Sequence, residues 1–350
     1  MAHHDTSYQI AFFSALLGSV ALAVAIFESA SEAALFLIAL GVFALPGLPL
    51  ARRFFSGIES WLAGAALGFL MSSLVASLLH RLQFAAPLYV LGAPIVLLLC
   101  SAWVAPRIRL RVLPGERDKK ELLWASAAVF VVLGIVSIPF LQVGAATPSG
   151  IAFRAYFSAD LMTHLSVVAE LQKGEFPPTN PFYSGSSLGY YWLFFAFPAA
   201  VGALTDNQSS LLSLYVAGGC LFGALLFATA RRIGLPSSRA FLATSVALTA
   251  VSYEGLLVLL RNEPFTDINV DALSRWAFHL TSLDGLHRAL LYTPQHLFSY
   301  SLLLVMFLLV MPRVPFDRAT ATVCGLLLGG MAGTSIVTSM LAGPWLVLVL

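Results

Sequence analysis

The sequence predicts an all-α, polytopic helical membrane protein with about nine transmembrane helices. Three observations carry that prediction. Of the 350 residues, 59% are hydrophobic and only 10% are charged, against about 25% charged in ordinary soluble domains. The apolar residues fall in long uninterrupted runs, not in the weak alternating segments of about ten residues that mark a membrane β-barrel. The basic residues gather between those runs, where they fix orientation. A soluble fold cannot hide this much apolar surface, so a soluble enzyme, a disordered chain and a nucleic-acid binder are all excluded.

A spanning helix needs about 20 mostly apolar residues. The runs that qualify are Gln9–Phe27, Ala33–Leu50, Trp61–Leu79, Pro87–Val104, Leu122–Leu141, Ser209–Ala230, Arg239–Leu260, His296–Met311 and Ala319–Leu341. The first has no small-residue cleavage site after it and reads as a retained helix, not a removed signal. The basic clusters are Arg52-Arg53, Arg107 to Lys120, Arg231-Arg232 with Arg239, and Arg313 with Arg318. All of them belong on the cytoplasmic side. A further run, Gly189–Leu204, contains Pro198. If it spanned, Arg231-Arg232 would fall outside. If it lies on or dips into the outer face, every cluster is inside, with 13 of the 19 Lys and Arg. It is therefore predicted to be interfacial or re-entrant, and Tyr190-Tyr191-Trp192 suits the headgroup zone.

This topology divides the chain into an N-terminal four-helix membrane region, 1–121, and a membrane core, 122–350. The core carries two outer loops, 142–208 and 261–295. Cys100, Cys220 and Cys324 lie inside apolar runs without a CxxC and read as packing. The final residues, Gly343 to Leu350, stop within an apolar run with no polar tail, which predicts a fragment of a longer chain.

Most polar material not explained by cytoplasmic anchoring sits in the two outer loops, and long ordered loops are usually functional. In the first, Ser158 is a fair N-cap and Gly174 a fair stop for a helix between them. Leu161, Leu165, Val168 and Gln172 share one face; Asp160, Thr163, His164 and Glu170 lie towards the other. That pattern predicts an amphipathic, juxtamembrane surface helix. Asp160 and His164, four apart, are neighbours on it. Three readings stay open for the pair: a general base with its support, ligands of a divalent cation such as Mg or Mn, or two solvated side chains. The next segment, Glu175 to Gly185, carries Pro177, Pro178 and Pro181, so it is no helix but a stiff extended turn. It either holds the surface helix against the aromatic run or merely connects. In the second loop, Arg275, His279 and Arg288 are candidates for binding a phosphate, against the alternative of a mixed-charge soluble loop. His296 opens a span just after Pro294, at the outer boundary. Glu254 lies inside a span, where an ionisable group is costly and a functional candidate, unless it reaches the interface.

The order of these features resembles the GT-C class of membrane glycosyltransferases, which includes the protein O-mannosyltransferases and the lipid A aminoarabinose transferases. The resemblance rests on Asp160 after a span, Pro177-Pro178-Thr179-Asn180-Pro181, Gly189-Tyr190-Tyr191-Trp192-Leu193-Phe194, and a span ending in Arg231-Arg232. Thr293-Pro294-Gln295-His296 is similar to a Pro-Gln-His motif in uncharacterised bacterial members. It covers roughly Leu122 to Met311. Two departures stand out: four spans precede the matching region, and Leu161 follows Asp160 where the protein mannosyltransferases have a second acid.

The resemblance implies a glycosyltransferase that takes sugar from a polyprenyl-phosphate-linked donor at the extracytoplasmic face of the plasma (inner) membrane, for an acceptor it does not identify. Asp160 maps onto the family's outer-loop acid, as base or metal-organising residue. His164 would support it, Arg275, His279 or Arg288 would offset leaving-group charge, and Tyr190 and Tyr191 would stack on sugar or anchor the loop. The competing class is a transporter or flippase for a lipid-linked or polar substrate, with Glu254 and Asp160 as relay groups.

Overall fold

Inside a bilayer the backbone has no water to bond, so each apolar run must satisfy its own amides and carbonyls, and helix is the local solution. The computed structural model describes residues 3–86, 88–104, 116–141, 145–148, 150–152, 160–175, 177–183, 185–249, 286–291, 293–311 and 317–349. Over these the chain is mostly helical. Helices α1 (His3–Phe27), α2 (Ala30–Ala44), α3 (Gly47–Ala51) and α4 (Gly57–Arg81) are followed by a π-helical turn, Leu88–Gly92, that runs into α5 (Ala93–Val104) and then α6 (Glu116–Leu141). A small antiparallel pair, β1 (Ala145–Thr147) and β2 (Gly150–Ala152), sets Ala146 opposite Ile151. Next come α7 (Asp160–Gln172), a 3-10 turn at Leu193–Phe195 leading into α8 (Ala196–Gly202), and α9 (Asn207–Arg232). The remainder are α10 (Ser237–Thr249), α11 (Leu286–Leu291), α12 (Pro294–Val310), α13 (Arg318–Thr334) and α14 (Ile336–Val349).

Among the described residues, three helices are long and apolar enough to cross a membrane: Ala30–Ala51, taken through the α2–α3 kink, Gly57–Arg81 and Asn207–Arg232. The protein is thus a helical membrane protein, and several of its other apolar helices are shorter.

Two of the expected spans are irregular, each for a local reason. The run 33–50 bends at Pro46, which cannot donate to the helix ladder; α2 stops at Ala44 and α3 restarts at Gly47. The run 87–104 contains Pro94, whose ring crowds the carbonyl four residues back. The wider π turn at Leu88–Gly92 accommodates it.

The run 319–341, expected as one span, is a hairpin. Ser335 has extended backbone (φ −167°, ψ 101°) and ends α13. Beyond it α14 folds back, so that the Ser339 hydroxyl donates to the Leu328 carbonyl at 3.2 Å. Further along, Trp345 stacks on Phe307 of α12, with centroids 5.8 Å apart.

The run 189–204 does not cross either. Its helical stretch, Leu193–Gly202, rises only about 15 Å. Residues 193–201 are all buried, whereas Tyr190, Tyr191 and Trp192 before them stay partly exposed. Phe197 packs edge-on to Phe43 (4.8 Å) and Phe36 (5.6 Å) and tilts against Phe69 (5.4 Å). Phe69 in turn meets Phe298 of α12 at 4.9 Å. The short element is the hub of the aromatic core, since Phe194, Phe195 and Phe197 are all buried between helices.

The arginines that close α3 and α9 lie at one end of the bundle. There Arg231 pairs with Glu121 (3.0 Å), Arg232 with Glu59 (2.9 Å), and Arg52 lies over the Trp61 ring (5.1 Å). At the other end of the same bundle, the Asp206 amide donates to Glu32 (3.2 Å) and the Ser209 hydroxyl to the Ile26 carbonyl (3.2 Å). The candidate residues lie at this second end.

Candidate functional site

Helix α7 is where expected, but it is turned. Its buried stripe is Leu161, His164, Val167, Val168, Glu170 and Leu171. His164 (2% exposed) and Glu170 (8%) therefore point into the protein and not to water, which corrects the expected polar face. The physical reason is that both have partners inside; a buried polar group is tolerated once its hydrogen bonds are made. Gly174 ends the helix with φ +80°, the left-handed conformation glycine adopts at no steric cost.

Glu170 ties down the proline-rich segment. Its carboxylate accepts from Lys173 (2.5 Å) and from the Thr179 hydroxyl (2.6 Å). Those two bonds hold its carboxyl below the usual range. Thr179 bridges to Ser187, and the Leu188 amide donates to the Pro178 carbonyl at 2.7 Å. The turn thus holds α7 and delivers Gly189-Tyr190 beside it. Gln172 adds a second clamp through its reciprocal amide pair with Asn207 (2.8 and 3.2 Å). Glu170→Ala is expected to remove the bond to the part-buried Thr179 hydroxyl and cost about 0.5–1.5 kcal/mol, read as faster limited proteolysis between 177 and 188. A cleavage rate equal to that of the wild type would show that the turn holds without Glu170.

The centre of the site is a neutral polar network in an aromatic shell. His164 Nδ1 lies 2.5 Å from the Tyr215 hydroxyl, and its Nε2 lies 3.4 Å from the Tyr190 hydroxyl. Gln295 donates from Nε2 to the Tyr190 hydroxyl at 3.0 Å. The imidazole packs on Phe195 with centroids 4.8 Å apart. Tyr191 lies against Tyr190 (4.4 Å) and presents its ring to His296 at 5.2 Å. His296 Nδ1 is hydrogen-bonded to the Ser335 hydroxyl (2.7 Å), which also accepts from Thr338 (3.1 Å). Asp160 sits half-buried in the first turn of α7, where the helix dipole favours a negative charge.

Burial pulls the His164 imidazole down to about 3, with the neighbouring His296 adding to the effect. His164 is therefore neutral and holds one proton for two nitrogens. With Gln295 donating to Tyr190 in the amide orientation assigned, the Tyr190 proton is free to reach His164 Nε2, which leaves Nδ1–H to face Tyr215. Burial likewise pushes the Tyr190 hydroxyl up, followed by the effects of Tyr191 and of the Asp160 charge. That last effect places Asp160 within electrostatic reach of the network.

The structure thus brings together Asp160, His164, Tyr190, Tyr191 and His296 from α7, the aromatic run and α12. Both nitrogens of His164 face tyrosine hydroxyls, so pairing it with Asp160 on a cation requires displacing one of them. Among the described residues, no group of three or more His, Cys, Asp or Glu side chains gathers as metal ligands would. Glu254, Arg275 and His279 lie outside the described residues; Arg288 is described only as backbone within α11. Two members were not expected, Tyr215 and Ser335, and a third, Gln295, stood in the Pro-Gln-His resemblance without an assigned role.

No family model, no curated protein and no solved structure matches the chain.

Proposed function

We propose that the protein is a membrane glycosyltransferase, moving a sugar from a polyprenyl-phosphate donor to an acceptor hydroxyl at the extracytoplasmic face of the plasma membrane. The observation that supports it best is the convergence of His164, Tyr190, Tyr191 and His296, with Asp160 in electrostatic reach, at the end of the bundle opposite the arginine ion pairs. By the positive-inside rule the arginine end is cytoplasmic, so the site faces outward. The neutral His164 is a poor base, which leaves Asp160 for proton removal. Asp160 takes the acceptor proton, the acceptor oxygen bonds to the anomeric carbon, and the bond from that carbon to the lipid-phosphate oxygen breaks. Arg275, His279 and Arg288 are the basic groups assigned to the departing phosphate. About nine spans would house the site and the lipid tail.

The test is turnover of labelled polyprenyl-phosphate sugars by the purified protein. Asp160→Asn is expected to lower the rate by about 10²–10⁴ with the melting temperature unchanged. Undiminished turnover in that variant removes Asp160 from the reaction. No turnover of any such donor by the wild type ends the transferase reading.

A further inference from the structure

The side-chain amide of Gln295 is 1% exposed. One end bonds the Tyr190 hydroxyl; the other, Oε1, is buried without a partner among the described residues. One turn along the same face of α12, the Ser299 hydroxyl is also fully buried and without a partner there. A buried polar atom left unpaired is costly, so the unpaired end of Gln295, beside the network, carries a standing cost that a bound ligand would relieve.

The chemistry of that ligand follows from the amide. If Oε1 is the free end, it needs a donor. If the amide is turned over, its NH2 is free and needs an acceptor. A hydroxyl satisfies both orientations, because it donates and accepts. An ionised phosphate, which only accepts, satisfies one. The neighbouring groups are the neutral His164, the Tyr190 hydroxyl and the paired rings of Tyr190 and Tyr191. Amide, hydroxyl and aromatic face together suit a neutral hydroxylated ring.

We infer that Gln295 is a ligand-binding residue of this site, hydrogen-bonding a hydroxyl of a bound sugar ring while Tyr190 holds its other end. The assignment rests on the transferase reading for the identity of the ligand but not on turnover. Pro294 places it: the helix starts at Pro294, after Thr293 at the N-cap position, so that Gln295 is its second residue and reaches Tyr190.

The test uses the full chain in nanodiscs with methyl glycosides of common hexoses and pentoses as probes, read by saturation-transfer NMR on their ring protons. The wild type is expected to give a signal with at least one of them. Gln295→Met, which keeps volume and removes the amide, is expected to weaken it about tenfold. If that variant fails to fold, Gln295→Asn replaces it: one methylene shorter, it cannot span Tyr190 and ligand, and the same weakening is expected. A wild type that binds no glycoside, equal signals in wild type and variant, or a signal displaced by inorganic phosphate overturns the assignment. Glycoside binding that depends on Gln295 without turnover of any lipid donor keeps the assignment and ends the transferase reading. Turnover indifferent to Gln295→Met does the reverse.

Discussion

Between pH 6.5 and 4.5 the folded protein is expected to lose stability steeply, and His164 to be the cause. The imidazole is held at about 3 in the folded state against 6.5 for an ordinary histidine. Below 6.5 the unfolded chain takes up a proton that the folded chain refuses, so the unfolded state gains with every step down. The contribution is fully present above 6.5 and is gone near 3, where the folded ring protonates too. At about 1.4 kcal/mol per unit this amounts to about 5 kcal/mol between pH 6.5 and 3, of which about 3 kcal/mol falls above pH 4.5, a large share of a typical total stability. Glu170 pulls in the same direction, since its carboxyl is also held down, but its part begins only near its ordinary value of 4.5. The interval above 4.5 therefore separates the two. His164→Gln keeps a donor and an acceptor but does not titrate. Thermal unfolding in detergent should show a steep loss across the interval in the wild type and a flatter one in the variant. Equal slopes would mean that the ring is not held neutral by burial, and the preference for Asp160 over His164 as the base would fall with it.

How much of this could be read from the sequence depends on the kind of signal each residue leaves. The helical membrane class follows from composition, and the sorting of Arg52, Arg231 and Arg232 to one end follows from charge alone. Asp160 and His164 share a helix at a spacing of four, and Tyr190 and His296 border apolar runs, so all four are visible as polar groups in apolar surroundings. The turn of α7 was not visible, because Leu161, Leu165, Val168 and Gln172 make as good an apolar stripe as Leu161, His164, Val168 and Leu171. What decides between them is Tyr215, 51 residues away from His164. A tyrosine within an apolar run looks like core until its partner is known. Gln295 did leave a trace, as a lone amide at the start of an apolar helix behind Pro294. The hairpin at Ser335 was hidden because apolar residues continue on both sides. Its local sign, Gly333-Thr334-Ser335, is weak beside a run of that length. Glu254, Arg275 and His279 lie outside the described residues.

The largest structural effect is expected from a single methyl group at Gly68. The sequence Gly64-Ala65-Ala66-Leu67-Gly68 sets two glycines four apart on α4, the spacing that lets helices approach backbone to backbone in a membrane. The kink at Pro46 brings Gly47 against them. A Cβ on Gly68 would strike the Ala44 carbonyl and the Gly47 amide, and one on Gly47 would strike the backbone of Gly64 and Gly68. Main chain cannot rotate away as a side-chain tip can, so α4 and the α2–α3 break must part. Overpacking of a core ordinarily costs about 1–3 kcal/mol, and a clash with main chain belongs at or above the upper end. Gly68→Ala should therefore lower the melting temperature markedly. Gly41→Ala is the control: it lies in α2 with nothing within 4 Å of a new Cβ, and should gain up to about 1 kcal/mol from helix propensity. A Gly68→Ala protein as stable as the wild type would show that the two helices do not touch along this line. The site would feel such a separation directly. Phe69 and Phe43, which flank the crossing, both press on Phe197, and Phe197 belongs to the short element that follows Tyr190 and Tyr191 in the chain. Loosening the crossing should therefore disturb the tyrosines as well, so that glycoside binding falls with stability in Gly68→Ala while remaining intact in Gly41→Ala.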